Sequence, residues 1–498
     1  MKTRLMAAVV ASAALAGCLS GGNDADSATG TSAATPPKNI LFFLGDGMGM
    51  ATLTAARIYQ VGEDGELTLD TLPETAFVKT YSNNAQVTDS APSMAAYMTG
   101  VKMNNEVISM TAETSAFNTT TGVDYLSGTD STCATDGSNG KAVTTLLELA
   151  KAAGLGTGAV TTTRVTHATP AVTYSHVCHR DGENAIAAQV VPGGTGTGPA
   201  AYNTALGDGL DVLMGGGLRF FKPTTVSFKD NSTGTTVKGK RTDGRDLVAE
   251  LQAKGYTFVS NKTEFDAASA ASTGKLLGLF TDSHMSYDLD RDATVEPSLA
   301  EMTTKAIDVL AKNPKGFFLM VEGGRIDHAL HETTAKKALQ DTVAFDTAIK
   351  TAIDKMQAKD PGLKNTLIVV TADHDHTLVL NGYAARKGKT TATEPGVLGL
   401  VKTFVDGVTA SLDSGGLPYS IIGFGNGENR PATRSALTDA QVSDKAYHQE
   451  AAIPVAAGSE THGGTDVFLG AMGKGAENFT GVIVNTEVFG LVRKAIGL

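Results

Sequence analysis

Short apolar runs that stop on charged side chains constrain this chain more than anything else in it. Residues 40–44, 157–161, 210–214, 317–321 and 366–370 read as strands, separated by helical stretches near 141–153, 297–312 and 332–358. Strands alternating with helices imply a mostly parallel sheet, so the expected class is α/β: one doubly wound sheet with helices on both faces. In the last helical stretch Leu339, Val343, Ala344 and Ile349 recur at near-helical spacing and are expected to pack into the core. No internal repeat is visible, and a hydrophobic fraction of 41% over 498 residues is enough for a substantial core.

Three of the runs deliver possible metal ligands at their carboxyl ends, where an open α/β sheet places its ligand crevice. Leu41-Phe-Phe-Leu44 leads to Asp46, Gly316-Phe-Phe-Leu-Met320 to Glu322, Asp327, His328 and His331, and Leu367-Ile-Val-Val370 to Asp373, His374 and His376. Glu460-Thr461-His462 follows near the end. In a helical continuation Asp327 and His331 are four apart, share one face and can grip one ion. Imidazole mixed with carboxylate, without clustered thiols, suits zinc at sites with open positions plus a harder oxygen-bound ion such as magnesium. His376, two residues past His374, fits a partner that orients a ligand carboxylate, whereas Asp375 is read as structural.

Ser90 is the candidate nucleophile. Pro92 in a first turn and Gly100 as a stop frame a short helix with Ser90 at its amino end. Free backbone amides and the helix dipole favour a negatively charged oxygen there, although serine in such a place is commonly only a cap. No Gly-x-Ser-x-Gly elbow supplies a triad, which leaves activation by a metal ion. Arg180, at the end of a helix expected to start after Pro170, carries a planar fork that matches two phosphate oxygens at once.

Asp46, Asp89-Ser90-Ala91, His167-Ala-Thr169-Pro170, Arg180, Glu322, Asp327, His331, Asp373-His374 and Glu460-Thr-His462 follow one another in an order that resembles the alkaline phosphatases, from near Lys38 to the end. Thr161-Thr-Thr-Arg-Val-Thr-His-Ala-Thr-Pro170 and Tyr447-His-Gln-Glu-Ala-Ala-Ile-Pro454 look closer to the animal-type branch than to the enterobacterial one. The resemblance implies hydrolysis of small phosphate monoesters through a phosphoserine at Ser90. It implies one zinc on Asp327, His331 and His462, a second on Asp46, Asp373 and His374, and a magnesium that Asp46, Glu322 and Thr169 hold. It further implies a homodimer, with residues 385–450 as a crown-type insertion in a catalytic domain of residues 38–498. His167 and His328 stand where the enterobacterial pattern has aspartate and lysine, beside the third metal and the phosphate. A phosphodiesterase of the same superfamily is the competing reading, but it usually shows threonine where Ser90 stands. A sulfatase would need a Cys-x-Pro-x-Arg motif that this chain lacks, and a zinc or phosphate store would need neither Ser90 nor Arg180.

The 41 basic and 52 acidic residues give a net charge of −11 without a basic stripe, so nucleic-acid binding is not expected. Lys2 and Arg4 precede an apolar stretch, residues 5–15, too short to span a bilayer but suited to a secretory signal. Leu15-Ala-Gly-Cys18 resembles a bacterial lipobox closing a signal of residues 1–18, with residues 19–37 as a flexible tether. Ordinary cleavage with Cys18 incidental is the alternative. The lipobox implies an exported periplasmic or cell-surface lipoprotein, anchored to the outer membrane by lipid alone. Cys133 and Cys178 are then expected to pair in an oxidising compartment, the alternative being two buried thiols.

Overall fold

Ten strands form the central sheet of the computed structural model, which describes residues 38–133 and 137–498. The signal, the lipobox at Cys18 and the tether lie outside the described residues. In chain order the strands are β1 (Lys38–Gly45), β2 (Glu74–Lys79), β3 (Gly156–Arg164), β4 (Val212–Gly216), β5 (Tyr256–Val259), β6 (Lys275–Leu279), β7 (Gly316–Gly323), β8 (Thr366–Ala372), β9 (Val467–Gly473) and β10 (Gly481–Val484). They lie side by side as β10-β2-β9-β8-β1-β7-β3-β4-β6-β5. All neighbours are parallel except β9, which runs antiparallel to both β8 and β2.

The central strands β1, β7 and β8 are buried along almost their whole length, which requires cover on both faces. Helices α1 (Met50–Val61), α2 (Ser90–Thr99), α3 (Leu146–Ala152), α4 (Leu299–Leu310), α5 (Arg325–His331), α6 (Ala335–Lys359) and α7 (Asn485–Ile496) supply much of it. α6 packs on α1, α4 and the short α5, while α7 packs on α2. Capping explains where two of them begin. Thr145 and Glu148 form a capping box at α3, so this helix starts five residues later than the apolar pattern alone indicates, and Ser298 with Glu301 forms the same kind of box at α4.

One expectation fails locally. The helix after Pro170 does not reach Arg180 but spans only Ala168–Ala171. The Thr173 and Ser175 hydroxyls donate back to the carbonyls of Pro170 and Ala171, and Val177 leaves to pair antiparallel with Ile108. Arg180 therefore sits in a turn, two residues past Cys178, which is disulfide-bonded to Cys133. Strands Leu378–Leu380, Ile422–Gly427 and Ala451–Pro454 build a separate three-stranded sheet. No described helix is long and apolar enough to cross a membrane.

Candidate metal centre

Strand register brings the carboxylates together. Leu44 of β1 pairs with Glu322 of β7, and Gly45 pairs with both Gly323 and Ala372, so the next residues of β1 and β8, Asp46 and Asp373, emerge side by side. Asp46, Glu322 and Asp373 are wholly buried. The turn after β1 must pass beneath His376: a Cβ at Gly47, whose φ is +65°, would meet the ring Nε2 at 2.5 Å. Helix α2 is tied to the same end of the sheet, the Ser93 hydroxyl donating to the Asp373 carbonyl at 2.7 Å. Its first residue, Ser90, thus places Oγ 3.1 Å from His374 Nε2 and 3.5 Å from Asp46 Oδ1.

Among the described residues, three groups bring ligand atoms within 4.8 Å of one another: Asp327, His331, His376 and His462; Asp46, Asp327 and His374; and Asp46, His167 and Glu322. In the first, His331 Nε2 lies 3.3 Å from Asp327 Oδ1 and 3.2 Å from His462 Nε2. Edges of a tetrahedron with metal–ligand bonds of about 2.0–2.1 Å are roughly 3.3 Å, so this spacing fits zinc. The Nδ1 atoms are committed elsewhere: His331 to the Glu460 carbonyl, His462 to Thr88 at 2.8 Å and His374 to Asp375 at 3.2 Å. Each ring is thereby held as a donor at Nδ1 with Nε2 turned inward.

His376 differs. Its Nδ1 meets Glu460 Oε2 at 2.5 Å and its Nε2 meets Asp327 Oδ1 at 2.8 Å, both acceptors, so both nitrogens carry protons. Against the effect of burial, Asp327 and Glu460 push its pKa up to about 10. An imidazolium has no free lone pair, which makes this ring a brace for Asp327. Asp327 in turn is held well below the usual carboxylate range, burial being outweighed by His331 and His376.

The third group is short of partners. Glu322 Oε2 accepts from Thr161 and from Thr163 at 3.2 Å, and Thr169 donates to Asp46 Oδ2 at 3.4 Å. Glu322 Oε1, Asp373 Oδ2 and His167 Nδ1 are buried with no hydrogen-bond partner. Burial first, and then the neighbouring Asp46, push the Glu322 and Asp373 carboxyls well above their ordinary range. Cations would satisfy the Glu322 and Asp373 oxygens and reverse that shift, so the carboxylate set fits metal binding.

Arg180 forms an ion pair with Asp89, and its other terminal nitrogen lies 3.1 Å from His167 Nε2. Arg325 donates to His328 Nδ1 at 2.8 Å. Burial, followed by the facing arginines, holds both His167 and His328 well below the usual histidine pKa, hence neutral. The structure thus brings every predicted site residue to one end of the sheet. Sequence reasoning missed Asp89, Thr161, Glu460 and His284. The ring of His284 lies edge-on, 4.2 Å from that of His328 and 5.2 Å from that of His167. Asp89 and Glu460 stood inside recognised motifs, whereas His284 comes five residues after β6, a strand that the apolar-run reading did not include.

A family model for alkaline phosphatase matches residues 37–498. The alkaline phosphatase of Gadus morhua is 37% identical over 463 residues, covering 89% of this chain and 88% of that one. The tissue-nonspecific isozyme of Homo sapiens is 37% identical over 465 residues, covering 89% and 81%. Among solved structures, the Thermus thermophilus alkaline phosphatase matches with a TM-score of 0.62 at 25% identity over 93% of both chains. That of the Antarctic bacterium TAB5 shares the fold, with a TM-score of 0.61 at 24% identity over 93% of this chain and 99% of its own.

Proposed function

The chain belongs to the alkaline phosphatase family, enzymes that hydrolyse phosphate monoesters, and we propose that here the reaction runs through a phosphoserine at Ser90. Asp327, His331 and His462 would hold one zinc, Asp46, Asp373 and His374 a second, and Asp46, Glu322 and Thr169 a magnesium. When bound, these ions supply the positive charge that stabilises an ionised serine oxygen and the charge on the transferred phosphoryl group. Ser90 Oγ attacks phosphorus, the ester P–O bond breaks and the alcohol leaves. Water then attacks phosphorus from the side that the alcohol vacated, opposite Ser90 Oγ; the P–Oγ bond breaks, inorganic phosphate is released and Ser90 regains its proton. Arg180, aimed by Asp89, donates to two phosphate oxygens, and His328, its Nδ1 occupied by Arg325, keeps its proton on Nε2 as a neutral donor.

The observation that carries this reading is the burial of Ser90 Oγ at the start of α2, within 3.5 Å of both His374 and Asp46. Quenching the enzyme in acid after mixing with labelled phosphate tests it. Label is expected on Ser90 and absent in Ser90→Ala, which should also lose most turnover of an aryl phosphate; label on another residue would overturn the assignment.

We also infer that residues 385–450 form the crown-type insertion of a homodimer. Phe404, Val405 and Val408 on this segment are 72, 81 and 74% exposed, a cluster suited to cover by a second copy. Sedimentation of wild type against a Phe404→Asp, Val408→Asp double variant decides it, a monomeric wild type being the adverse result. For residues 1–37 the proposal remains a lipoprotein signal, with Cys18 as lipid anchor and a tether leading to the catalytic domain. Loss of the protein from membranes in Cys18→Ser is its test.

A further inference from the structure

Glu460 is buried to 99%, two residues before His462, yet contributes to none of the three ligand groups. All of its polar atoms are committed. Oε2 accepts from His376 Nδ1 at 2.5 Å, and Oε1 accepts from the Thr377 N–H at 2.8 Å and from the Thr377 hydroxyl. Its carbonyl accepts from His331 Nδ1, and its N–H donates to the His331 carbonyl at 3.2 Å. One residue therefore fixes two rings. His331 is held with Nε2 facing Asp327, and His376 is held so that its own Nε2 meets Asp327 Oδ1 at 2.8 Å.

An isolated buried carboxylate would be costly, so its placement makes sense only if what it holds matters. Asp327 can rotate about its side-chain torsions, and the hydrogen bond from His376, the shortest contact to its Oδ1, restricts that rotation. We infer that Glu460 is a positioning residue of the first cation site, orienting Asp327 through His376 and His331 through its own backbone, so that this site depends on it and the neighbouring site does not. The inference rests on reading Asp327, His331 and His462 as zinc ligands. No metal contact by Glu460 itself is involved.

The test follows zinc leaving the fully loaded enzyme into an excess of chromophoric chelator, with the equivalents counted. In Glu460→Ala one of the two zinc equivalents is expected to leave about 10- to 100-fold faster, the usual cost of losing an outer-shell partner, while the other keeps its wild-type rate. Glu460→Gln should restore most of the slow release. Its amide can donate to His376 Nδ1 and still accept from Thr377, leaving the Nε2–H on Asp327 in place. Wild-type release of both equivalents in Glu460→Ala, or equal acceleration of both, would overturn the inference. Should Glu460→Ala fail to fold, His376→Ala must show the same one-site acceleration, and its absence there is equally decisive. Selective ¹⁵N labelling of histidine adds a readout on the wild type: an unprotonated His376 Nδ1 would mean that Glu460 accepts nothing from it. A wild type that holds fewer than two zinc equivalents would instead defeat the zinc reading on which the inference stands.

Discussion

Asp89 and Arg180 face each other as an ion pair inside the site, tying the residue before the candidate nucleophile to the guanidinium that would grip phosphate. Glu106 completes the clamp. Its N–H donates to Asp89 Oδ2 at 2.8 Å and its carbonyl accepts from the Arg180 N–H at 2.8 Å. Glu106 does so from the left-handed region, at φ 74°, a conformation that costs a non-glycine residue about 1–3 kcal/mol and persists where the surroundings impose it. Helix α2 and the turn bearing Arg180 are thus set against each other before any substrate arrives.

Arg180→Ala is expected to lower kcat/KM and weaken product inhibition by phosphate, by the roughly 1.5–3 kcal/mol of a charge-assisted contact. Asp89→Asn should cost less, since the guanidinium stays but loses its aim. Steady-state kinetics with inorganic phosphate as inhibitor measure both. An unchanged inhibition constant in Arg180→Ala would remove Arg180 from the phosphate site.

Removing metal should destabilise the protein. Asp46, Glu322 and Asp373 lie together fully buried, and one oxygen each of Glu322 and Asp373 has no hydrogen-bond partner, a crowding that bound cations relieve. Binding at a hundredfold excess over Kd contributes about 2.7 kcal/mol per site. Scanning calorimetry is expected to show a fall in the melting midpoint on chelation and recovery on adding zinc. Equal midpoints with and without chelator would contradict the fit of these residues to metal.

The proposed ligands were legible in the sequence because their geometry is local to strand ends: Asp46, Glu322 and Asp373 follow apolar runs, and Asp327 and His331 are one helical turn apart. The parts it hid are those fixed by contacts across the chain. Glu460 reaches His376 and His331, residues 84 and 129 positions away in sequence. Thr161 reaches Glu322 only because β3 and β7 are neighbours in register. The misread helix before Arg180 has the same cause. Periodicity after Pro170 permits a helix, but pairing of Val177 with Ile108 and hydroxyl back-bonding win over propensity.

A separate pH dependence should come from Asp341 on α6, ten residues past His331. Burial, helped by Asp288 and Asp290 and opposed by Arg325, pushes its pKa up to about 8. Among the described residues, its one close donor is the Asp288 N–H, at 3.3–3.4 Å. An acid whose folded pKa is raised binds its proton more tightly folded than unfolded, so stability falls as pH rises from the ordinary carboxylate range, about 3.9, and levels off above the folded value. Asp341→Asn should remove this slope, gaining on the order of 1–3 kcal/mol at pH 9 while changing little at pH 4. Urea unfolding of the holoenzyme and variant at several pH values tests it, and parallel curves would mean that Asp341 ionises freely in the folded protein.

At the proposed third site, His167 is expected to set the choice of metal. Arg180 has only donors, so its approach to His167 Nε2 at 3.1 Å makes that nitrogen an acceptor and leaves the proton on Nδ1, which is buried and unpartnered near Asp46 and Glu322. A proton-bearing or nitrogen ligand is a poor match for magnesium, which takes oxygen and retains several waters. His167→Asp supplies oxygen there and should tighten magnesium binding while reducing inhibition by excess zinc. It also offers Arg180 a second carboxylate, so phosphate affinity should fall. Calorimetric titration of the zinc-loaded wild type and variant with magnesium reads the first effect, and phosphate inhibition reads the second. Identical magnesium isotherms would show that His167 only fills space beside the site, even if phosphate binding changed.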